Sequence, residues 1–370
     1  MAKQKLKAGL IGCGGIANGK YFPGIKANNT LCEMVAFCDI EEGRAAKAAK
    51  EWGTADSKAY KDYKELLSQA DVDVVFVMTP NASHAPIVEE AFAAGKHVMC
   101  EKPMAASLED AERMLEAWKK SGMQFTIGYQ CRLRPEIQAL HKMIKAGDLG
   151  EIYFAKATAV RRRAVPTWGV FTDKSQQGGG PLIDIGTHAL DMTLWLMNNY
   201  EPASVSGSVF YKLGGLQEAT EGNLFGAWDT KTFDVEDSAF GFIKMKNGAT
   251  IILESAWALN VSESREASTT LCGTKAGAEI RSGVSFPRDE LIINRGAHGQ
   301  LFDEKLCEVG NINFTASKDS DSLAAVELRH WLEALHGQGE VLVKPEQAFM
   351  VTKILDAIYK SAADGKEVLF

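Results

Sequence analysis

Near its start the chain reads Leu10-Ile11-Gly12-Cys13-Gly14-Gly15-Ile16-Ala17, and no other stretch restricts the possible folds so strongly. An apolar strand runs into G-x-G-x-x-A, a helix follows, and Asp39 ends the next apolar run, Met34 to Cys38. Gly12 permits the tight turn from strand to helix. Gly14 lets backbone approach a pyrophosphate, and Ala17 keeps helix and strand close. The helix N-terminus adds N–H donors and the positive end of its dipole. A glycine triplet alone is weak, because any strand-to-helix turn can use glycine. Here strand, helix, second strand and an acid about 20 residues further on occur together. Gly12, Gly14, Gly15, Ile16, Ala17 and Asp39 are therefore candidate dinucleotide-binding residues.

The first 128 residues continue in this alternation. Strand-like runs lie at Leu6–Gly12, Met34–Cys38, Val72–Thr79, His97–Cys100 and Phe125–Gly128, with helix-like stretches such as Glu41–Trp52, His84–Ala94 and Leu108–Lys120 between them. Such order implies right-handed βαβ units around a parallel sheet. Val72–Thr79 is almost continuously apolar, as a strand covered on both faces must be. After Gly128 the pattern changes. A helix-like stretch from Pro135 to Ala146 precedes a long strand, Glu151 to Val160, and a helix from about Pro181 to Asn198. Beyond Pro202 strand-like runs dominate. Phe240–Lys246 and Ala249–Trp257 flank Asn247-Gly248, a strong hairpin signal. Leu271–Gly273 and Ala278–Arg281 flank another glycine-bearing turn, and two helices, roughly Ser320–Leu335 and Glu346–Ala363, close the chain. The expected class is α/β: a Rossmann domain over 1–128, then an α/β domain over 129–370 with a mainly antiparallel sheet. Gly214–Thr232, carrying Phe225 and Trp228, reads as a lid, an interface loop or an ordinary surface loop.

At 370 residues the chain exceeds the size of one hydrophobic core, which agrees with two domains. A net charge of −7, with no basic run that would track phosphates, disfavours nucleic acid. Seven scattered cysteines without a C-x-x-C pair fit a reduced, cytoplasmic protein. Lys3, Lys5 and Lys7 before Leu10-Ile11-Gly12-Cys13 imitate a lipoprotein signal, but the apolar stretch Ala8–Ile11 is too short for one. No stretch reaches the length of a membrane span.

Three further clusters carry chemistry. Thr79-Pro80-Asn81-Ala82-Ser83-His84 lies at the carboxyl end of a parallel strand, the edge where open α/β sheets bind ligands. His84 there either touches a cofactor or is a surface or capping histidine. Glu101-Lys102-Pro103 ends the next strand on the same edge. A lysine in a closed cleft can stabilise a hydroxyl as it becomes alkoxide, although a strand-end lysine is usually a solvated charge. The third cluster is Asp184-Ile185-Gly186-Thr187-His188-Ala189-Leu190-Asp191. Residues four apart share a helix face, so the Asp184 carboxylate can orient the His188 imidazole, the usual proton acceptor near neutral pH. A surface ion pair is the plainer alternative. A metal is not expected, since no second histidine or cysteine completes a ligand set.

Taken in this order, Gly12–Ala17, Thr79–His84, Gly95-Lys96-His97-Val98-Met99-Cys100-Glu101-Lys102-Pro103, and Gly178-Gly179-Gly180 leading to Asp184, His188 and Asp191 resemble the Gfo/Idh/MocA oxidoreductase family over essentially the whole chain. The resemblance implies a C-terminal domain whose large open sheet often forms a subunit interface, hence a homo-oligomer, dimer or tetramer. It implies that Lys102 and His188 act at the reacting hydroxyl with Asp184 beside them, and that the Lys102–Pro103 bond is cis. It also implies a cofactor surface including Thr79, Pro80, Asn81, His84, Glu101 and Lys102. Tyr129-Gln130-Cys131-Arg132 resembles the segment beside the nicotinamide, although Cys131 and Leu133 depart from the family wording, and Arg132 is carried over from it. Arg162, within Arg161-Arg162-Arg163, and Trp168 are expected to border the substrate; a solvated basic strand end is the alternative.

The reading that results is an NAD-dependent dehydrogenase acting on a ring secondary hydroxyl of a sugar, glycoside or cyclitol, or on the matching ketone. C3 of a glucoside is one expectation, beside cyclitols and free aldoses oxidised at C1. One alternative keeps NAD bound and recycles it, giving net isomerisation, hydrolysis or oxidation–reduction between two sugars. Another is a dinucleotide sensor without turnover. NAD is expected over NADP because the Asp39 charge would repel a 2′-phosphate, and Ile40, Glu41 and Glu42 supply no cation; Arg44 is the nearest.

Overall fold

The computed structural model describes residues 4–286, 288–306 and 322–370. Cys307 and Ser320 lie outside the described residues. The described chain divides into two compact units, one formed by 4–130 and 322–349, the other by 131–306 and 350–370.

The first unit holds a six-stranded parallel sheet: β1 (Leu6–Ile11), β2 (Cys32–Cys38), β3 (Lys58–Tyr60), β4 (Val74–Val77), β5 (His97–Cys100) and β6 (Phe125–Ile127), in the order β3-β2-β1-β4-β5-β6. This is the doubly wound order, with the reversal at β1/β4 that creates a ligand crevice at the carboxyl edge. All four residues of β4 are buried, which explains their unbroken apolar run. The helix Leu108–Ser121 shows how sequence sets a boundary. Ser107 Oγ accepts from Asp110 N at 3.1 Å, Glu109 and Asp110 occupy the first turn, and Gly122 follows the last. β3 escaped the sequence reading because it is a three-residue edge strand with two exposed residues.

One element departs from a boundary drawn at 128/129. The helix Leu323–Leu335 returns to the first unit, where Leu328, Trp331 and Leu332 join Phe22, Ile25 and Phe37 in one core. Asn28 Nδ2 donates to Ala325 O at 2.9 Å beside that contact. A helix distant in sequence thus covers one face of the parallel sheet.

The second unit is built on a nine-stranded sheet: β7 (Ile152–Val160), β8 (Pro202–Phe210), β9 (Ser238–Met245), β10 (Thr250–Ala256), β11 (Arg265–Gly273), β12 (Gly277–Arg281), β13 (Glu290–Ala297), β14 (Gln300–Lys305) and β15 (Val368–Leu369). Their order is β14-β13-β12-β11-β7-β10-β9-β8-β15. β7 and β10 pair in parallel and every other neighbouring pair is antiparallel. The Asn247-Gly248 turn joins β9 to β10, with Met245 N donating to Ala249 O at 2.8 Å. The helix expected over Pro181–Asn198 is present in two parts. A wider π-type turn, Leu182–Gly186, feeds the buried α-helix Thr187–Met197. No helix among the described residues is long and apolar enough to cross a membrane.

Candidate cofactor and acid–base sites

In the first unit the glycine turn has the geometry its residues require. Gly12 has φ +92°, and a Cβ there would meet Met78 O at 2.5 Å, so both conformation and contact exclude a side chain. Asp39 ties this turn to the end of β2. Its Oδ2 accepts from Cys13 N at 2.7 Å and its Oδ1 from Glu41 N at 2.8 Å. Outside the turn the space is open: a Cβ on Gly14 or Gly15 would meet nothing within 4 Å. The helix then opens with a π-type turn over Ala17–Tyr21, held at its start by Asn18 Nδ2 donating to Cys13 O and Gly14 O. Ile16 is exposed there and Ala17 fully buried. Thr79 offers a buried hydroxyl, Oγ1, with no protein partner. An open cradle, the first-turn N–H groups of a helix, a carboxylate at the β2 end and an orphan hydroxyl together fit a dinucleotide.

The other predicted residues of this edge divide into two kinds. Asn81 is buried on the short turn Asn81–Ser83 after Pro80, and Lys102 stands half-buried after β5. The Lys102–Pro103 bond is cis. His84 and Glu101 are engaged internally. The His84 ring is fully buried, with Nδ1 3.0 Å from Pro103 O and Nε2 3.0 Å from Thr79 O. It clamps two loops of the sheet edge together and turns neither nitrogen toward a cofactor. Burial pushes its pKa down, against the pull of the two carbonyls.

Glu101 belongs to a buried ionic cluster that the sequence did not announce. Lys20 Nζ lies 2.7 Å from Glu101 Oε1 and 3.0 Å from Glu327 Oε2, and donates to Gln130 Oε1 as well. Tyr21 OH donates to Glu101 Oε1 at 3.0 Å, and Glu101 Oε2 accepts from Lys102 N at 2.9 Å. Burial alone would raise the Glu101 carboxyl, but Lys20 and Lys102 beside it hold it below the usual carboxylate range. The carboxylate of Glu101, a residue expected on the cofactor surface, is thus engaged in fixing the Lys102 backbone. A lysine on an otherwise buried helix face was the only hint.

In the second unit the candidate acid–base residues Asp184 and His188 sit where the π-type turn meets the α-helix. Glu236 anchors this turn: its carboxylate accepts from Gly180 N at 2.8 Å, Leu182 N at 3.1 Å and Tyr359 OH at 2.8 Å. A Cβ on Gly180 would collide with Glu236 O at 2.3 Å, which accounts for one glycine of the Gly178–Gly180 run. Ser255 Oγ donates to Pro181 O at 2.7 Å and ties the turn to β10. Asp184, half-buried, accepts from the indole Nε1 of fully buried Trp257 at 3.0 Å. His188 is 9% exposed, with Nδ1 3.8 Å from Cys131 Sγ. Burial pushes the Cys131 thiol up to about 12, so it faces the imidazole as a neutral S–H group. Glu236, Trp257 and Cys131 are positioning residues that only the folded arrangement reveals.

Arg132 differs from expectation. Nε and Nη2 make a bidentate pair with Asp191 at 2.9 and 2.6 Å, both residues fully buried. This pair fixes the helix Thr187–Met197 from within. Asp191, one turn beyond His188, is the structural partner in that pair. Arg161 is also engaged, through a bidentate bond to Glu266 at 2.7 and 2.6 Å. Arg162 is exposed, and Trp168 is 53% exposed. Among the described residues no group of three or more histidine, cysteine, aspartate or glutamate side chains could hold a metal ion.

Comparison with known proteins gives a concordant picture. A family model described as an oxidoreductase family, NAD-binding Rossmann fold, matches residues 6–129, and its C-terminal alpha/beta companion matches 141–370. D-glucoside 3-dehydrogenase of Escherichia coli K12 is 34% identical over 368 residues, covering 100% of this chain and 98% of that protein. Inositol 2-dehydrogenase of Salmonella typhimurium LT2 is 32% identical over 196 residues, 52% of this chain and 55% of that protein. The solved structure of a levoglucosan dehydrogenase in complex with NADH and levoglucosan has the same fold, with a TM-score of 0.82 over 99% of both chains at 23% identity.

Proposed function

The chain belongs to the Gfo/Idh/MocA oxidoreductase family, and from that premise we propose that it oxidises a ring secondary hydroxyl of a glycoside, sugar or cyclitol with NAD, C3 of a glucoside being the leading position. The observation that carries this reading is the opening of the helix at Pro181, where Asp184 accepts from Trp257 and His188 follows one turn later. It stands on a chain that aligns throughout its length with a D-glucoside 3-dehydrogenase.

The cradle Gly12, Gly14, Gly15, Ile16 and Ala17 holds the pyrophosphate, Asp39 the adenosine ribose, and Thr79, Pro80 and Asn81 the surface beside them. Bound NAD supplies the hydride acceptor. His188 removes the hydroxyl proton through Nε2, while Cys131 faces its Nδ1 and Asp184 stabilises the imidazolium. Lys102 donates to the oxygen as it becomes alkoxide, its backbone fixed by Glu101. Arg162 and Trp168 border the substrate. Intact Lys102, Asp184 and His188 favour turnover over a sensing role.

The first unit serves as the NAD-binding domain and the second as the substrate-binding and oligomerisation domain. The outer face of the nine-stranded sheet carries Phe154, Phe240, Phe242 and Ile252 only partly covered, which suits a homo-oligomer. A reduced, cytoplasmic setting suits the free cysteines.

The test is incubation with NAD and glucosides, inositols, free hexoses or short aliphatic alcohols, locating any new carbonyl by NMR. A keto group on a ring carbon of a polyol is expected. Best turnover on an aliphatic alcohol would reject the reading.

A further inference from the structure

The second unit carries an aromatic run that leads away from the acid–base pair to the surface. Trp257, whose indole donates to Asp184, meets Phe171 edge-on at 6.4 Å between ring centroids. Phe171 meets Trp168 at 5.9 Å, and Trp168 meets Phe225 at 4.8 Å with the rings perpendicular. The inner end is fully buried, whereas the last two rings are 53% and 38% exposed. Large apolar rings left in water at the end of a continuous aromatic wall are what a ligand surface needs and a core does not.

The segment bearing these rings is held firmly. Leu224 N donates to Arg163 O at 3.0 Å, Asn223 Oδ1 accepts from Val165 N at 2.8 Å, and Asn223 Nδ2 donates to Val165 O at 3.0 Å. Thr167 Oγ1 donates to Phe225 O at 2.7 Å. Further along, Trp228 is buried, with Nε1 donating to Gly214 O at 2.8 Å. The loop 214–232 is thus pinned to the strand end that carries Arg161–Arg163. It holds Phe225 against Trp168 in advance of any ligand.

We infer that Trp168, Phe171 and Phe225 form a subsite for the aromatic aglycone of an aryl glucoside, placed outside the sugar whose hydroxyl reacts beside Asp184. This rests on the proposed glycoside dehydrogenase reading. The polar chemistry of the corner decides the ligand class. Thr167 Oγ1, both ends of the Asn223 amide and the Trp228 N–H are already engaged in holding the loop, so what the corner exposes is the ring surface of Trp168 and Phe225 with one polar donor, the Trp168 indole N–H. A second sugar would bring hydroxyls in need of partners, whereas a flat apolar ring needs only edge and face contacts. Binding energy gathered there, remote from the reacting carbon, can hold the sugar in its reactive position.

The test compares kcat/KM for phenyl glucosides of both anomers, methyl glucoside and a glucose disaccharide. Wild type should favour one phenyl glucoside over methyl glucoside by about 10-fold or more. Phe225→Ala and Trp168→Ala should each bring that ratio close to one, and Trp168→Phe, which keeps a ring, should restore most of it. Phe225→Leu, a milder change, guards against a loop that fails to fold. A wild-type ratio near one, a ratio unchanged in the variants, or a preference for the disaccharide overturns the subsite. So does a change of oligomeric state in the variants with selectivity intact, which would assign the rings to a second copy of the chain. Saturation-transfer NMR with phenyl glucoside reads the subsite without turnover. Transfer to the phenyl protons that is lost in Phe225→Ala supports the subsite even if no polyol is oxidised, in which case only the functional reading falls. No transfer in wild type removes the subsite.

Discussion

Lys20 and Glu101 meet at 2.7 Å with their side chains 1% and 8% exposed, so the helix of the glycine turn is bonded directly to the residue preceding Lys102. Glu327, from the helix that returns late in the chain, closes the same cluster at 3.0 Å. Removing one member of a buried ionic group leaves the others uncompensated. Lys20→Met should therefore destabilise the first unit by roughly 3–5 kcal/mol. Chemical denaturation measures this; a loss below about 1 kcal/mol would mean that the cluster is electrostatically idle.

Lys102→Ala and His188→Ala should each lower turnover by about 100-fold or more, the usual scale for a lost acid–base group. Binding of NADH, followed by its fluorescence, should persist because the glycine turn is intact in both variants. Near-normal turnover in either variant would remove that residue from the mechanism. Asp184→Asn should be damaging too: the amide keeps an oxygen for the Trp257 donor but loses the negative charge proposed to stabilise the imidazolium.

Asp39 should make the enzyme prefer NAD. Its two oxygens hold Cys13 N and Glu41 N, which fixes the carboxylate at the end of β2. A 2′-phosphate brought there would be repelled. Catalytic efficiency with NAD should exceed that with NADP by at least about 10-fold, the scale of roughly 1.4 kcal/mol. Asp39→Asn should narrow the gap while raising KM for NAD. A preference for NADP in wild type contradicts the assignment.

His84 gives the first unit a pH dependence of definite sign. Burial lowers its folded pKa below the ordinary value of 6.5. Beneath that value the unfolded chain takes up a proton that the folded chain does not. The stabilisation is therefore full above about pH 6.5 and falls as pH drops from there to the lower folded value. The slope is at most about 1.4 kcal/mol per pH unit for one proton. Urea unfolding between pH 5 and 7.5 should show a shallower slope for His84→Gln than for wild type. Identical slopes would mean that His84 does not titrate on unfolding.

The local grammar of the chain was sufficient for much of this protein. The unbroken apolar run of β4, the G-x-G-x-x-A turn, the Ser107 cap and the Asn247-Gly248 hairpin each have a cause within a few residues of themselves, so the parallel sheet, the cradle and the antiparallel hairpin could be read directly. The positions of Lys102, Asp184 and His188 on their elements were legible for the same reason. Other features depend on partners that only the fold brings into reach, and no local pattern encodes them. Arg132 reads as a cofactor-side residue until Asp191 takes the Nε and Nη2 edge of its guanidinium. His84 reads as a candidate cofactor ligand until Pro103 and Thr79 take its two nitrogens. The helix Leu323–Leu335 reads as part of the second domain until Leu328 and Trp331 find Phe22 and Ile25. Sequence determined which segments form and where the candidate site residues lie along them, because backbone conformation and periodicity are local. Only tertiary structure decided which charges are available to a ligand, because a buried polar group must find a partner wherever the fold brings one.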